Sequence, residues 1–156
     1  MGLFRNVPVA ESVFRIERLP AGLASHPRGS LTLGWQDRIA PRSRYRTDDG
    51  VEFGMALPRG TILREGDCLP IDRPALVIVV QEKPEAVLVA APQSAEQGTL
   101  WAYYIGNSHQ PLMLEGGRLI CPDVKGMDDV FAFHGIPFER ETRAFTPVAA
   151  GPSHHG

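Results

Sequence analysis

Residues 85–121 read EAVLVAAPQSAEQGTLWAYYIGNSHQPLMLEGGRLIC. The β-branched and Ala-rich run from Glu85 to Ala91 suits a buried strand. Ser94, with Gln97 three residues later, forms a capping box that opens a helix. Leu100, Trp101, Tyr104, Ile105 and Ser108 recur at helical spacing, and Gly106-Asn107 signals the stop. Pro111 to Leu114 reads as a short strand, Gly116-Gly117 as a two-residue hairpin turn, and Arg118 to Cys121 as the returning strand. Further on, Asp123 is expected to cap a second helix that carries Met127, Val130, Phe131 and His134 on one face and ends at Gly135. Pro137 to Thr142 supplies a last strand. The resulting order, β-α-β-β-α-β, is the ferredoxin-like pattern.

Upstream the grammar differs. Ser12 to Leu19 alternates along its length, and Leu31–Leu33, Val51–Met55, Thr61–Leu63 and Ala75–Val80 are further short apolar runs. Turn signals separate them at Pro20-Ala21-Gly22, Asp48-Asp49-Gly50, Pro58-Arg59-Gly60, Glu65-Gly66-Asp67 and Asp72-Arg73-Pro74. No useful helical period is present there, so a small barrel or sandwich is expected. The boundary falls at Gln81-Glu82-Lys83-Pro84. The expected class is α+β: an all-β domain over residues 1–82, a ferredoxin-like βαββαβ domain over 85–143, and a flexible His-containing tail over 144–156.

At 156 residues, 43% hydrophobic and 22% charged, the composition is globular rather than disordered. The longest apolar runs, Leu76–Val80 and Ala86–Ala91, fall far short of the ~20 residues of a membrane helix. The N-terminus lacks the apolar core of a signal peptide, and Asn6 breaks the myristoylation pattern that Gly2 would begin. Two cysteines, Cys68 and Cys121, are too few for a disulfide scaffold or a four-cysteine zinc site. A cytoplasmic protein with no membrane partner is the expectation.

Charge is unevenly placed. Residues 1–47 carry eight Arg against Glu11, Glu17 and Asp37, a balance of +5, which leaves −7 for the remainder of a chain with net charge −2. Arg38, Arg42, Arg44 and Arg46 form the densest cluster. Guanidinium forks grip carboxylates and phosphates, so this cluster is a candidate partner-binding face. Aromatic interleaving is sparse, which argues against nucleic acid as the partner. A nucleic-acid-binding barrel plus ferredoxin-like module is the alternative reading.

Catalytic motifs are missing: there is no Gly-x-Ser-x-Gly elbow, no P-loop and no Gly-x-Gly-x-x-Gly loop. Cys121 sits between Ile120 and Pro122 and reads as a buried structural thiol, although a pairing with His109 is conceivable. His134, near a helix end, reads as structural. His109 follows a helix stop and precedes a strand, which places it at an exposed corner, and His154 and His155 lie near the C-terminus. Open imidazole sites suit nickel, copper or zinc. One fixed His per chain becomes a ligand pair if a two-fold axis passes nearby. The first helix offers a dimer face through Trp101, Tyr104 and Ile105.

A family resemblance joins these features. Leu57-Pro58-Arg59-Gly60-Thr61-Ile62-Leu63-Arg64-Glu65-Gly66-Asp67-Cys68-Leu69 resembles the Leu-Pro-Arg-Gly…Leu-Arg-x-Gly-Asp-x-Leu segment of the UreE family of urease accessory proteins. Arg42-Ser43-Arg44 and Asp49-Gly50 are similar to its Arg-x-Arg and Asp-Gly turn. Ala102-Tyr103-Tyr104-Ile105-Gly106-Asn107-Ser108-His109 looks like its Ala-Tyr-His-Leu-Gly-Asn-Arg-His signature. The resemblance implies a homodimeric nickel metallochaperone; the sequence does not choose between a dimer and a tetramer built from two dimers. Its first domain would be a peptide-binding-like module for partners, and its second would bind metal and dimerise. The metal residues it implies are His109 and, more loosely, His154 and His155. Nickel is the implied cargo, with zinc or copper able to take its place, and the implied partners are the urease accessory GTPase and the urease apoprotein complex. Tyr104 stands where the family signature has His, and Ser108 where it has Arg.

Overall fold

A computed structural model describes residues 6–41 and 44–148. Two compact units meet at Lys83–Pro84. The first contains β1 (Val9–Ala10), β2 (Phe14–Arg15), a 3-10 turn at Ile16–Arg18, α1 (Ala21–Ala24), β3 (Arg28–Leu33) and α2 (Trp35–Ile39). It continues with β4 (Arg44–Arg46), β5 (Glu52–Met55), β6 (Asp67–Asp72) and β7 (Ala75–Glu82). The second contains β8 (Glu85–Ala90), α3 (Ala95–Asn107), β9 (Met113–Glu115), β10 (Arg118–Pro122), α4 (Met127–Phe133) and β11 (Glu139–Arg143).

The first unit is sheet-rich, with a three-stranded sheet in the order β1-β5-β4 and a four-stranded one in the order β2-β6-β7-β3. Leu31, Leu33, Phe53, Met55, Leu63, Leu69, Ile71, Ile78 and Val80 form its buried core. It is not purely β, because the short helices α1 and α2 interrupt it. Three local expectations change. The strand expected over Ser12–Leu19 shrinks to Phe14–Arg15: Arg15 lies opposite Asp67, where β6 begins, and beyond it is only the left-handed Gly66 turn (φ 85°). Thr61–Leu63 forms no strand, because the Leu63 N–H donates to the Arg38 carbonyl (2.9 Å) instead of to a ladder. β6 was not anticipated. Its Pro70 is tolerated because β2 pairs only with Asp67 and Cys68, which leaves the proline without a neighbour on that side.

The second unit has an antiparallel sheet in the order β11-β8-β10-β9, the ferredoxin-like arrangement. Leu88, Ala90, Leu119 and Cys121 pack against Trp101, Ile105, Met127 and Phe131 from the helices. Ser94 Oγ accepts from the Gln97 N–H (3.1 Å), while Gln97 Oε1 accepts from the Gln93 N–H (2.8 Å), one residue further back than a strict capping box. Gly116 and Gly117 both have positive φ (57° and 77°), as a tight hairpin turn demands. Asp123 does not cap α4. The helix starts later, after a left-handed Gly126, and the Asp123 carboxylate instead accepts from Arg140 (2.6 Å).

The tail expectation needs correcting at its start. Phe145 is fully buried and Pro147 is buried too. The Thr146 N–H donates to Met113 Sδ (3.4 Å), and the Val148 N–H donates to the Leu112 carbonyl (2.6 Å). Residues 144–148 are therefore packed along the outer edge of β9, where a large apolar side chain gains more from burial than from solvent. Among the described residues, no helix is long and apolar enough to cross a membrane.

Candidate metal-binding site

His109 stands just past the C-terminus of α3. Ser108 is the C-cap, and its N–H reaches both Tyr104 O (3.2 Å) and Ile105 O (3.1 Å). The Ser108 hydroxyl donates to the Tyr104 carbonyl as well (3.0 Å). His109 N–H donates to Gly106 O (3.0 Å) and Gln110 N–H to Ile105 O (3.4 Å), the two bonds of a Schellman motif. That motif puts the residue after the cap in the left-handed region, and His109 adopts φ 60° there. Glycine is the usual occupant, because a Cβ costs about 1–2 kcal/mol in this conformation. A strained backbone at an exposed corner points towards a use for the side chain. The imidazole is exposed and makes no side-chain hydrogen bond to the described residues, so it is free to bind a borderline metal ion such as nickel, copper or zinc.

Among the described residues, His109 has no ready company. Among the described residues, no three His, Cys, Asp or Glu side chains gather to hold a metal ion. His154 and His155 lie outside the described residues.

His134, the C-cap of α4, stacks on Tyr104 with ring centroids 3.7 Å apart and planes 9° from parallel. Phe133 meets His134 edge-on at 5.0 Å, and Tyr103 lies 5.9 Å from Tyr104. Four rings thus run across the second unit, and the outer two, Tyr103 and Phe133, are 64% and 85% exposed. Leu100 on the same helix is also exposed. This alters the expected dimer face, because Trp101 and Ile105 belong to the core and Leu100 and Tyr103 are the apolar groups that point outward. The signal was in the periodicity: Tyr103 falls two residues from both Trp101 and Ile105, off their face.

Cys121 does not partner His109 as a nucleophile. It is fully buried, and burial, reinforced by Asp123, pushes its thiol up to about 12.

Arg38 leaves the expected partner-binding cluster. It is 0% exposed, in α2. Its Nε donates to Leu33 O (3.3 Å) and one terminal nitrogen to Leu63 O (3.4 Å), with Glu82 Oε2 at 3.8 Å. The guanidinium thereby joins β3, the 61–63 segment and the end of β7, and it faces no solvent. Burial alone would raise the Glu82 carboxyl, but bonds from Arg64 and the Glu65 N–H, together with the Arg38 charge, hold it below the usual carboxylate range. Arg42 lies outside the described residues. Arg44 and Arg46 are exposed on edge strand β4, with Arg46 paired to Glu52 at 2.6 Å.

Comparison with known proteins adds to this geometry. A family model described as the UreE urease accessory protein N-terminal domain matches residues 15–81, and one for the C-terminal domain matches residues 85–156. Urease accessory protein UreE of Pseudomonas putida (strain W619) is 35% identical over 121 residues, which are 78% of this chain and 75% of that protein. The protein of the same name from Burkholderia mallei (strain SAVP1) is 35% identical over 130 residues, 81% of this chain and 64% of that protein. The one from Burkholderia thailandensis is also 35% identical over 130 residues, 61% of its own length. The chain thus spans a little under two thirds of the Burkholderia relatives it matches.

Proposed function

The chain belongs to the UreE family of urease accessory proteins, and on that premise we propose that it is a cytoplasmic nickel metallochaperone rather than an enzyme. It would bind Ni(II) and deliver it to the urease apoprotein complex through the accessory GTPase, with zinc or copper as competitors for the site. The observation that carries the reading is His109: an exposed, unengaged imidazole on a rigid helix-terminal corner that a glycine would occupy with less strain. One imidazole is a weak site. A second copy of the chain would present a second His109 across a two-fold axis, and the exposed Leu100, Tyr103 and Phe133 are the apolar groups that such a dimer would cover. His154 and His155 would complete the coordination. A few neutral imidazoles on separate elements suit a carrier, because acid and competing ligands can displace them one at a time.

The domain division proposed is a partner-binding β domain followed by a metal-binding, dimerising ferredoxin-like domain. Arg44 and Arg46, with Arg42, are the cations proposed to meet an acidic surface on the GTPase. Calorimetric nickel titration of the dimer tests the core of the reading. Wild-type protein should take up nickel, and His109→Ala should lose the tightest step while remaining dimeric by light scattering. An unchanged tight step in that variant would refute the assignment.

A further inference from the structure

We propose that the carboxyl end of β8 opens into a binding site for a small organic cation, a guanidinium or ammonium group on an apolar stem; the site does not depend on the nickel reading. The chain builds a notch there. β8 pairs with β11 only as far as Val89 opposite Glu139, and with β10 only as far as Ala90 opposite Leu119. Continuing the register would set Pro137 opposite Ala91, and Pro137 has no N–H to extend the ladder. The chain turns away at Pro92 into the Ser94 cap of α3 instead. The gap left between the starts of β10 and β11 is a cavity of about 590 Å³, a size that suits a small molecule. Val89 and Phe138 give it apolar walls, Gln97 and Trp101 line it from α3, and Arg118 and Glu139 bring the charges.

The charges decide the sign of the ligand. Arg118 is already engaged: Glu115 lies 3.1 Å and Glu141 3.6 Å from its terminal nitrogens. Arg143 pairs with the same two glutamates, at 2.5 and 3.8 Å, which closes a ring of four alternating charges and leaves no net charge there to attract an anion. Glu139 is exposed and, among the described residues, makes no ion pair or side-chain hydrogen bond. The unbalanced charge lining the cavity is therefore one carboxylate, set among aromatic and aliphatic surface. Arg140 already lies over the Phe138 ring, 5.6 Å from its centroid, so Trp101 is the aromatic group left to meet an incoming stem. This combination selects a cation with a carbon stem. A bare metal ion would forfeit the apolar contact, and Glu139 repels an anion.

Butylguanidinium and the capped peptide acetyl-Gly-Arg-Gly-amide are titrated into the full chain carrying Trp35→Phe, with Trp101 emission and calorimetry as readouts and succinate as the anionic control. The guanidinium probes should bind saturably, with the roughly millimolar affinity of so small a ligand, and shift the Trp101 emission; succinate should do neither. Glu139→Gln should weaken binding about tenfold, the worth of one charge-assisted hydrogen bond. Ala91→Phe puts a ring into the cavity from an exposed position on its wall and should abolish binding. Glu139→Gln should leave nickel uptake unchanged, so the cation site and the nickel site fail separately. Binding of the peptide assigns the cation to a protein side chain, and binding of butylguanidinium alone assigns it to a free small molecule; both sustain the site. No saturable response to either cation, an affinity unmoved by Glu139→Gln, or tighter binding of succinate would overturn it.

Discussion

Replacing His109 by glycine should make the protein more stable and less functional, and the size of the effect can be worked from the backbone. His109 holds φ 60° between two hydrogen bonds that fix the corner. The left-handed conformation costs an L-residue about 1–2 kcal/mol, and glycine removes that cost. Glycine in turn loses about 0.5–1 kcal/mol to its greater freedom in the unfolded chain. The net expectation is a stabilisation of about 0.5–1 kcal/mol, or a rise of roughly 2–8 °C in the midpoint of a unit of this size. His109→Ala keeps the Cβ and the strain, so it should stay within about 0.5 kcal/mol of wild type. Urea unfolding, followed by the emission of the buried Trp101 in a Trp35→Phe background, reads the second unit alone. Both variants should lose the tightest nickel step. A glycine variant no more stable than the alanine variant would refute the strain reasoning. Retained tight nickel binding in either would refute the ligand assignment.

Arg38→Ala should destabilise the first unit by about 1–3 kcal/mol, since it removes the buried donor to Leu63 O and a charge near Glu82, while Leu33 O keeps the Lys83 N–H and Glu82 keeps Arg64 and the Glu65 N–H; an equal urea midpoint in variant and wild type would contradict the structural role. Glu82, held below its usual range in the folded state, stabilises the fold above the unfolded carboxylate value near pH 4.3, and that contribution is lost as pH falls through the lower native value; Glu82→Gln should flatten this acid limb in pH-dependent unfolding. Cys121 should resist alkylation in the native protein at pH 8 and react fully in denaturant, as mass spectrometry would show. Arg44→Gln with Arg46→Gln should slow association with the accessory GTPase at low salt and leave nickel uptake unchanged, measured by stopped flow across ionic strengths.

The second unit was largely readable from the sequence because its punctuation is local. Ser94 and Gln97, Gly116-Gly117 and Gly135 each mark an end by chemistry acting within a few residues. Its misreadings came from long-range partners. Asp123 looks like a cap until Arg140, seventeen residues on, claims its carboxylate. Phe145 looks like the start of a loose tail until the edge of β9 binds the chain around it. The first unit was harder because its strands are two to eight residues long and their limits are set by where the partner stops, as with Phe14–Arg15 against β6.

Arg38 shows why a charge cluster in sequence is weak grounds for a charged surface. Residues 38, 42, 44 and 46 are near neighbours along the chain, yet α2 turns the first of them into the core while β4 carries the last two to an edge. Its buried guanidinium is tolerable because two carbonyls and a carboxylate surround it, and no sequence period announces such an arrangement. His109 is the opposite case. Its corner was legible from Gly106-Asn107 alone, but the feature that marks it, a Cβ held where glycine belongs, exists only in the backbone angles. The rest of the proposed coordination, a symmetry mate's imidazole and the tail imidazoles, was suggested by the sequence, but only the structure shows that Tyr103 and Phe133 are the exposed rings a proposed dimer would cover. If the ligands do come from separate segments of two chains, as proposed, each imidazole can leave without unfolding another, and transfer to an acceptor proceeds by stepwise exchange of imidazoles rather than by opening a preformed cage.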